Sequence, residues 1–224
     1  SAATVDAQVE QLLRADNTAA LVSLVARPGL AEMGELIGAG AVPGRWSPTA
    51  ATWPGGDPGG IPAVREGRAA VQDEGSQLVA LALAAVPVTP AAPMTSGSRE
   101  RWLDLCAGPG GKAGLLGALA IQRGAEFVAS DVSEHRADLV RATVRPVIAA
   151  GASGQVSVRV GDGRAVGSDE PAGYDRVMVD APCTGLGALR RRPEARWRKQ
   201  PADVTQLAVL QRQLLASALD ATRP

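Results

Sequence analysis

A glycine-rich turn at residues 104–113 limits what this 224-residue chain can fold into more than any other stretch. The apolar run 101–105 leads into the turn, and an alanine- and leucine-rich helical pattern, 114–122, follows it. Glycines let a backbone turn tightly and approach a ligand closely. The start of a helix offers unpaired N–H groups and a positive dipole end. The pattern therefore predicts a strand, a turn and a helix that hold a nucleotide-like ligand at the carboxyl edge of a parallel sheet.

The spacing within the turn argues against one class of site and leaves three interpretations open. A phosphate-binding P-loop has a glycine five residues before its Gly-Lys pair and a hydroxyl after it, but Cys106 and Ala113 stand there. Gly108, Gly110 and Ala113 fit the dinucleotide pattern, and Asp131 ends the next predicted strand. S-adenosylmethionine sites share this plan. A nicotinamide dinucleotide, S-adenosylmethionine and a turn without ligand therefore all stay open at this point.

Composition indicates an ordinary globular protein with no strong overall charge. The chain is 46% hydrophobic and 21% charged, with 23 basic and 23 acidic residues, so any surface for a polyanion must be local. Two cysteines, Cys106 and Cys183, do not suggest a disulfide framework and fit a reducing cytoplasm. Because no signal-peptide pattern and no uncharged apolar run of 18 residues occurs, we expect a cytoplasmic protein without a membrane partner. No cluster of metal-ligating residues accompanies His135, the one histidine, so we expect no metal.

Strands and helices alternate from residue 101 onward. The strands are predicted at about 101–106, 126–131, 155–161 and 174–180, and the helices at about 110–122 and 134–149. This alternation predicts an α/β fold with a doubly wound, mostly parallel sheet. Asp131, Asp162 and Asp180 each follow a strand, and the carboxyl ends of parallel strands converge on one crevice. We therefore expect three aspartates along one ligand-binding edge.

The residues before the predicted sheet are expected to form a small subdomain and a connecting segment. Residues 1–65 are predicted to form a small α/β subdomain, and residues 66–224 the main domain. The predicted elements before the sheet are a helix at 5–14, a strand at 21–26, a helix at 30–38, a loop at 43–62, a helix at 70–86 and a loop at 87–98. Near the end, Leu207, Leu210, Leu214 and Leu215 mark a helix that packs on the sheet.

Four motifs carry a resemblance to a known family. They are DLCAGPGGK at 104–112, DGR at 162–164, DAPCTGLG at 180–187 and RRRPEARW at 190–197. In this order they resemble the Sun/Nop family of RNA cytosine-5 methyltransferases, and the bacterial Fmu (RsmB-type) branch most of all. The resemblance runs from about 71 to about 215. It implies a Rossmann-like methyltransferase fold, cut before its last strands, and a small RNA-facing subdomain at 1–65.

The resemblance also implies roles for individual residues. Asp131 would take the ribose hydroxyls of S-adenosylmethionine with Arg136 nearby, and Asp162 would face the adenine. Asp180 would lie where the cofactor and the target base meet. The methionine part of the cofactor would be lined by Cys106, Ala107, Gly108, Pro109, Gly110, Gly111 and Lys112.

Cysteine is central to this chemistry because carbon 5 of cytosine is too weak a nucleophile to take a methyl group unaided. A thiolate that adds at carbon 6 makes carbon 5 enamine-like, and loss of the carbon-5 proton after methylation releases the thiolate. An acid near the ring nitrogen, for which Asp180 is the candidate, stabilises the adduct. The base must leave any stack to reach such a pocket.

Two roles are open for Cys183. In DNA cytosine-5 enzymes the attacking cysteine belongs to a Pro-Cys motif, which Cys183 fits. In the RNA family a later Thr-Cys cysteine attacks, and the Pro-Cys cysteine helps to release the product. Because the 224 residues contain no Thr-Cys, our hypothesis is that Cys183 is the release residue and that the main nucleophile lies beyond Pro224. The alternatives are Cys183 as attacker and Cys183 as an inert buried thiol.

A basic run follows the Pro-Cys motif. It is interpreted as a contact to RNA backbone phosphates, with an ordinary solvated charge run as the alternative. Trp197 within it is predicted to be a packing anchor, with a base-stacking platform as the alternative. The candidate RNA-binding residues are Arg190, Arg191, Arg192, Arg196, Arg198 and Lys199.

Taken together, the resemblance implies S-adenosylmethionine-dependent methylation of cytosine carbon 5 in small-subunit ribosomal RNA, and we expect a monomer. A transfer RNA substrate and a catalytically incomplete module that binds cofactor and RNA are the alternatives. A nicotinamide dehydrogenase is the remaining functional class, but it would not explain the Asp180–Cys183 motif.

Overall fold

The computed structural model describes residues 2–18, 20–88 and 99–224. The chain forms two compact units, the first made of residues 1–21 and 182–212 and the second of residues 22–181 and 213–224. The α-helices of the described residues are α1 Ala2–Asn17, α2 Met33–Gly38, α3 Pro62–Arg65, α4 Glu74–Ala85, α5 Gly111–Gln122, α6 Glu134–Ala150, α7 Val166–Asp169, α8 Ala195–Arg198 and α9 Pro201–Ala221. The strands are β1 Val22–Ala26, β2 Val42–Pro43, β3 Ala50–Trp53, β4 Ala69–Val71, β5 Arg101–Asp104, β6 Glu126–Asp131, β7 Val156–Val160 and β8 Arg176–Met178.

The second unit contains a parallel sheet with the strand order β7-β6-β5-β8. Each neighbouring pair is parallel, and α5 and α6 connect β5 to β6 and β6 to β7. The chain then passes from the β7 edge to β8 on the other side of β5, so the direction of strand addition reverses at β5. Ligands bind beside the carboxyl ends of strands at such a reversal. The predicted α/β fold with a parallel sheet is confirmed.

The strands and helices around the sheet lie close to their predicted positions, because long periodic segments bury one face each. The core of this sheet is mostly aliphatic, and Trp102 and Phe127 are its aromatic members among the described residues. Burial of this apolar surface is the main favourable term for the fold. Strand β5 stops at Asp104 rather than at residue 106, and β8 is limited to three residues.

A second, antiparallel sheet lies in the same unit, and here the sequence interpretation was partly wrong. The strand order is β2-β3-β1-β4. The predicted loop at 43–62 contains β3, whose Ala50 and Ala51 are buried against β1. The helix predicted from residue 70 starts at Glu74, because Ala69–Val71 pairs with β1 as β4. Four-residue strands between prolines and glycines carry too little periodicity to be recognised. Residues 89–98 of the predicted loop at 87–98 lie outside the described residues, and the boundary at 65 stays a prediction.

Arg27 joins the antiparallel sheet to the helices of the parallel sheet. It follows β1, is only 1% exposed, and donates from Nη1 to the carbonyl oxygens of Gly67 at 2.6 Å and Thr143 at 2.9 Å. Burial lowers the pKa of Arg27 to about 10, so the side chain remains charged at neutral pH. Gly114 in α5 makes room for it, because a Cβ there would lie 2.5 Å from Arg27 Nη2.

Across the described ranges, no helix is both long and apolar enough to cross a membrane.

Replacing Gly114 with alanine tests this close approach. The added methyl group would collide with the buried guanidinium, so we expect the free energy of unfolding in urea to fall by roughly 1–3 kcal/mol. Gly75→Ala in α4 is the matched control, since a Cβ at Gly75 meets no atom within 4 Å. Equal stability of the two variants would show that Arg27 has space to move and would contradict the tight contact.

Candidate active site

The glycine turn is held at the carboxyl ends of three parallel strands. Leu105 donates its N–H to the carbonyl of Met178 at 2.9 Å, and Ala107 donates to the carbonyl of Ser130 at 2.9 Å. Gly110 precedes α5 with a φ of 111°, a left-handed conformation that favours glycine. The turn is therefore fixed on both sides, and it presents the start of α5 at the predicted ligand edge.

Asp131, the last residue of β6, ties its strand to this turn. Its Oδ2 accepts from the N–H of Gly108 at 3.0 Å, and its Oδ1 accepts from the N–H of Ser133 at 3.0 Å. Arg136 Nε lies 3.3 Å from Oδ2, and Arg136 Nη2 donates to the carbonyl of Gly108. A Cβ at Gly108 would lie 2.6 Å from Asp131 Oδ2, so the approach needs glycine. The structure thus brings together the predicted ribose-binding aspartate, its arginine and the turn.

Asp104 is the most unusual group at this edge. It ends β5, is 1% exposed, and neither carboxylate oxygen has a hydrogen-bond partner within the described part of the chain. Burial, helped by the negative charge of Asp180, raises the pKa of Asp104 to about 7. The nearby ammonium of Lys112 acts in the opposite direction without cancelling this effect. A buried carboxyl group without a partner is costly, which points to a role other than holding the fold.

Lys112 and Asp180 meet from different elements. Lys112 is the second residue of α5, Asp180 follows β8, and Nζ lies 2.6 Å from Oδ2. The aspartate is largely exposed and the lysine largely covered. The two predicted site residues are therefore in contact, with the Asp180 carboxylate held beside the turn.

Asp162, the third predicted aspartate, lies in a turn after β7 and pairs with Arg164. Both of its oxygens accept from Arg164 Nε at 3.0 Å, and the guanidinium lowers the pKa of Asp162. Ser217 holds this turn, because its Oγ donates to the carbonyl of Gly163 at 2.7 Å and accepts from the N–H of Gly167 at 2.8 Å. The turn borders an open groove of about 550 Å³.

The two cysteines have different surroundings. Cys106 is partly buried in the turn, and burial, together with the charges of Asp104 and Asp131, raises the pKa of its thiol to about 11. It is therefore protonated at neutral pH and serves as a small packing residue. Cys183, in the first unit, is free and exposed, so the alternative of a buried inert thiol is wrong. Its neighbour Pro182 is held by a hydrogen bond from Gln211 Nε2 at 2.8 Å.

The basic run also belongs to the first unit. Arg196 is half-buried and donates to Asn17 Oδ1 at 3.3 Å, while Arg190 donates to the carbonyl of Thr18 at 3.2 Å. Trp197 is 81% exposed, so the prediction of a packing anchor is wrong. The indole stands on the four-residue helix α8 and lies largely in solvent. The exposed members of the run are Arg190, Arg191, Arg192, Arg198 and Lys199.

Two contributors to this edge were missed by sequence reasoning. Asp104 belongs to the motif at 104–112, but the sequence interpretation assigns it no role. The signal that could have identified it is an acidic residue in an apolar strand that enters a glycine turn. Ser217 had no sequence signal, because its contact to residues 163 and 167 is set by tertiary packing alone. No group of three or more metal-ligating side chains occurs in residues 2–18, 20–88 and 99–224.

The pKa of Asp104 predicts a pH dependence of stability. An unfolded aspartate has a pKa near 3.8 and the folded group about 7, so the folded state alone holds the proton between these values. Stability contributed by this group therefore falls as pH rises through that window, by at most about 4 kcal/mol. We expect Asp104→Asn to flatten the fall in unfolding free energy between pH 5 and pH 8 in urea titrations. Asp162→Asn is the control, since its depressed pKa acts in the opposite sense below pH 4. An unchanged slope in Asp104→Asn would contradict this assignment.

Comparison with known proteins agrees with this geometry. The family model described as 16S rRNA methyltransferase RsmB/F matches residues 92–224. The putative methyltransferase Rv1407 of Mycobacterium tuberculosis is 52% identical over 97% of this chain and 44% of its own length. Ribosomal RNA small subunit methyltransferase B of Sodalis glossinidius is 35% identical over 71% of this chain and 33% of its own length. The chain thus spans less than half the length of these relatives.

A further relative and two solved structures extend the comparison. The mitochondrial tRNA (cytosine(34)-C(5))-methyltransferase of Danio rerio is 37% identical over 56% of this chain and 34% of its own length. The crystal structure of PH0851 matches with a TM-score of 0.79 and 27% identity, over 94% of this chain and 46% of that one. NSun6 from Pyrococcus horikoshii, solved with SFG, has the same fold with a TM-score of 0.57 and 21% identity, over 75% of this chain and 38% of that one. Since the family model covers more than half of the residues, the chain belongs to the RsmB/F family of 16S rRNA methyltransferases.

Proposed function

We propose that this chain is part of an enzyme that methylates carbon 5 of cytosine in RNA with S-adenosylmethionine. The observation that carries the proposal is the joint placement of the glycine turn, Asp131 and Asp180 at the reversal point of the parallel sheet. Family membership supplies the reaction class, and the edge of the sheet supplies groups suited to a charged nucleoside.

The residues present fit this cofactor. S-adenosylmethionine carries an ammonium and a sulfonium, and the unpaired buried carboxylate of Asp104 is suited to a nearby positive charge. The start of α5 and Lys112 suit its carboxylate, and a Cβ at Gly111 would meet no atom within 4 Å, so space remains beside the helix start. When bound, the cofactor supplies an electrophilic methyl group. Asp131 with Arg136 would hold the ribose, and Asp162 would hold the adenine.

Asp180 is proposed to act on the target base. Its carboxyl group is exposed and held by Lys112, so it can give a proton to the ring nitrogen of cytosine as the thiolate adds at carbon 6 and take that proton back as the thiolate leaves. The attacking thiolate is proposed to come from outside residues 1–224, and Cys183 is proposed to assist release of the methylated product. The high pKa of Cys106 supports excluding that residue as the nucleophile.

Small-subunit ribosomal RNA is the proposed substrate, and transfer RNA is the second candidate. The family description and the Sodalis glossinidius relative favour ribosomal RNA, while the Danio rerio relative favours transfer RNA. The exposed arginines and lysine of the basic run are proposed to contact RNA phosphates. We further propose a cytoplasmic monomer in which residues 1–65 face the RNA.

Cofactor binding gives the first test. Removing the Asp131 carboxylate deletes a charge-assisted acceptor and loosens the turn, so Asp131→Ala is expected to weaken binding of S-adenosylhomocysteine by roughly ten- to a hundredfold in calorimetry. Asp138→Ala on the surface of α6 is the matched control, since Asp138 pairs only with Arg141 among the ion pairs of the described residues. Affinity equal to the control would argue against a cofactor at this edge.

Methyl transfer gives the second test. Labelled S-adenosylmethionine is offered with unmodified ribosomal RNA, and separately with transfer RNA, to the 224-residue chain and to a protein extended past Pro224. We expect 5-methylcytosine only with the extended protein, and we expect Cys183→Ala in that protein to remain trapped on RNA in denaturing gels. Transfer by the 224-residue chain that Cys183→Ala abolishes would instead make Cys183 the attacker. Cofactor binding without transfer in either protein would favour a binding module.

A further inference from the structure

An exposed tryptophan that the proposed reaction does not use lies in a loop between two strands of the antiparallel sheet. Trp46, between β2 and β3, is 65% exposed. The guanidinium of Arg45 lies over it, with Cζ 4.5 Å from the ring centroid. Arg45 is itself exposed, and the Glu74 carboxylate attracts its charge from beneath the loop. The pair therefore presents an aromatic ring and an exposed positive charge at one point of the surface.

The backbone beneath this pair is firmly anchored. The Glu74 carboxylate at the start of α4 accepts from the N–H groups of Arg45 at 3.2 Å, Trp46 at 2.6 Å and Ser47 at 2.9 Å. Ser47 Oγ also donates to the Oε1 of fully buried Gln77 at 2.8 Å. Three consecutive N–H groups on one carboxylate fix the loop, so the exposed indole is presented from a rigid base and little backbone entropy remains to be lost on binding.

The chemistry of the pair selects one kind of occupant. A nucleobase has a flat π-face that stacks on tryptophan, and the phosphate of its nucleotide complements an exposed arginine. Paired bases in a duplex hide these faces, whereas single-stranded loops and ends expose them. We propose that Arg45 and Trp46 form a stacking platform for an unpaired base of the RNA substrate. This inference rests on the proposed function, because it assumes that the chain binds RNA.

Binding of a fluorescently labelled, unstructured 20-nucleotide RNA, followed by anisotropy, tests the platform. Loss of base–aromatic stacking in Trp46→Ala is expected to weaken binding about tenfold, and Trp46→Phe is expected to recover most of that affinity. Val42→Ala on strand β2 of the same sheet is the matched control, because it removes an exposed apolar side chain (54% exposed) that cannot stack. Arg45→Ala is expected to reduce the salt slope by about one, as loss of a single phosphate contact would.

Four further readouts separate the outcomes. Unfolding in urea and affinity for S-adenosylhomocysteine are expected to match the native chain in Trp46→Ala, so that a loss of RNA binding is not a loss of fold. Affinity for a blunt RNA duplex is expected to be unchanged. Equal losses on duplex and single-stranded RNA, or no loss on either, would overturn the platform while leaving the proposed function intact. A change of oligomeric state in Trp46→Ala, seen by sedimentation, would identify a protein contact instead. Absence of RNA binding by the native chain would overturn both proposals.

Discussion

The carboxylate of Asp131 is the group on which the candidate site depends. It accepts from the backbone of Gly108 and from that of Ser133, so one side chain fixes the glycine turn and the start of α6 together. Arg136 completes the arrangement by reaching back to the same glycine. Because this contact closes only when β5 and β6 are paired in register, formation of the site is coupled to formation of the sheet.

A second constraint comes from the charges buried around α5. Arg27 is buried beside Gly114 with carbonyl partners and no carboxylate partner among the described residues, and Asp104 is buried before the turn without any hydrogen bond. Replacing buried charged groups with apolar ones is often neutral or favourable for stability. Arg27 offsets part of the cost of its burial through two hydrogen bonds, one of them to a helix of the parallel sheet, whereas the nearby Lys112 does not offset the burial of Asp104. The contacts of Arg27 therefore explain its burial, whereas the fold alone does not explain the burial of Asp104.

The parts of the structure that the sequence predicted are those where many residues act together. The parallel strands and the helices at 111–122 and 134–150 follow from long apolar periodicity, and the order of three aspartates follows from strand polarity. Strand β3 and the late start of α4 were missed, since short strands are defined by pairing with β1 rather than by local pattern. Trp197 was misjudged for a related reason, because a tryptophan in a sequence indicates burial only when a partner surface exists.

The same reasoning explains why residue types alone did not define the site. Cys106 and Cys183 are identical in chemistry, yet burial beside two carboxylates raises the pKa of the first, whereas the second is exposed. The pKa values of Asp104 and Asp162 likewise shift in opposite directions. Burial raises the pKa of Asp104, whereas the hydrogen bonds from Arg164 lower the pKa of Asp162. Asp104 is an exception to the rule that a buried carboxylate has a hydrogen-bond partner in the described chain, whereas Asp162 is paired with Arg164. Such exceptions concentrate where a protein gives up stability for a ligand. At the carboxyl edge of this sheet the exception is Asp104, the residue that leads into the glycine turn.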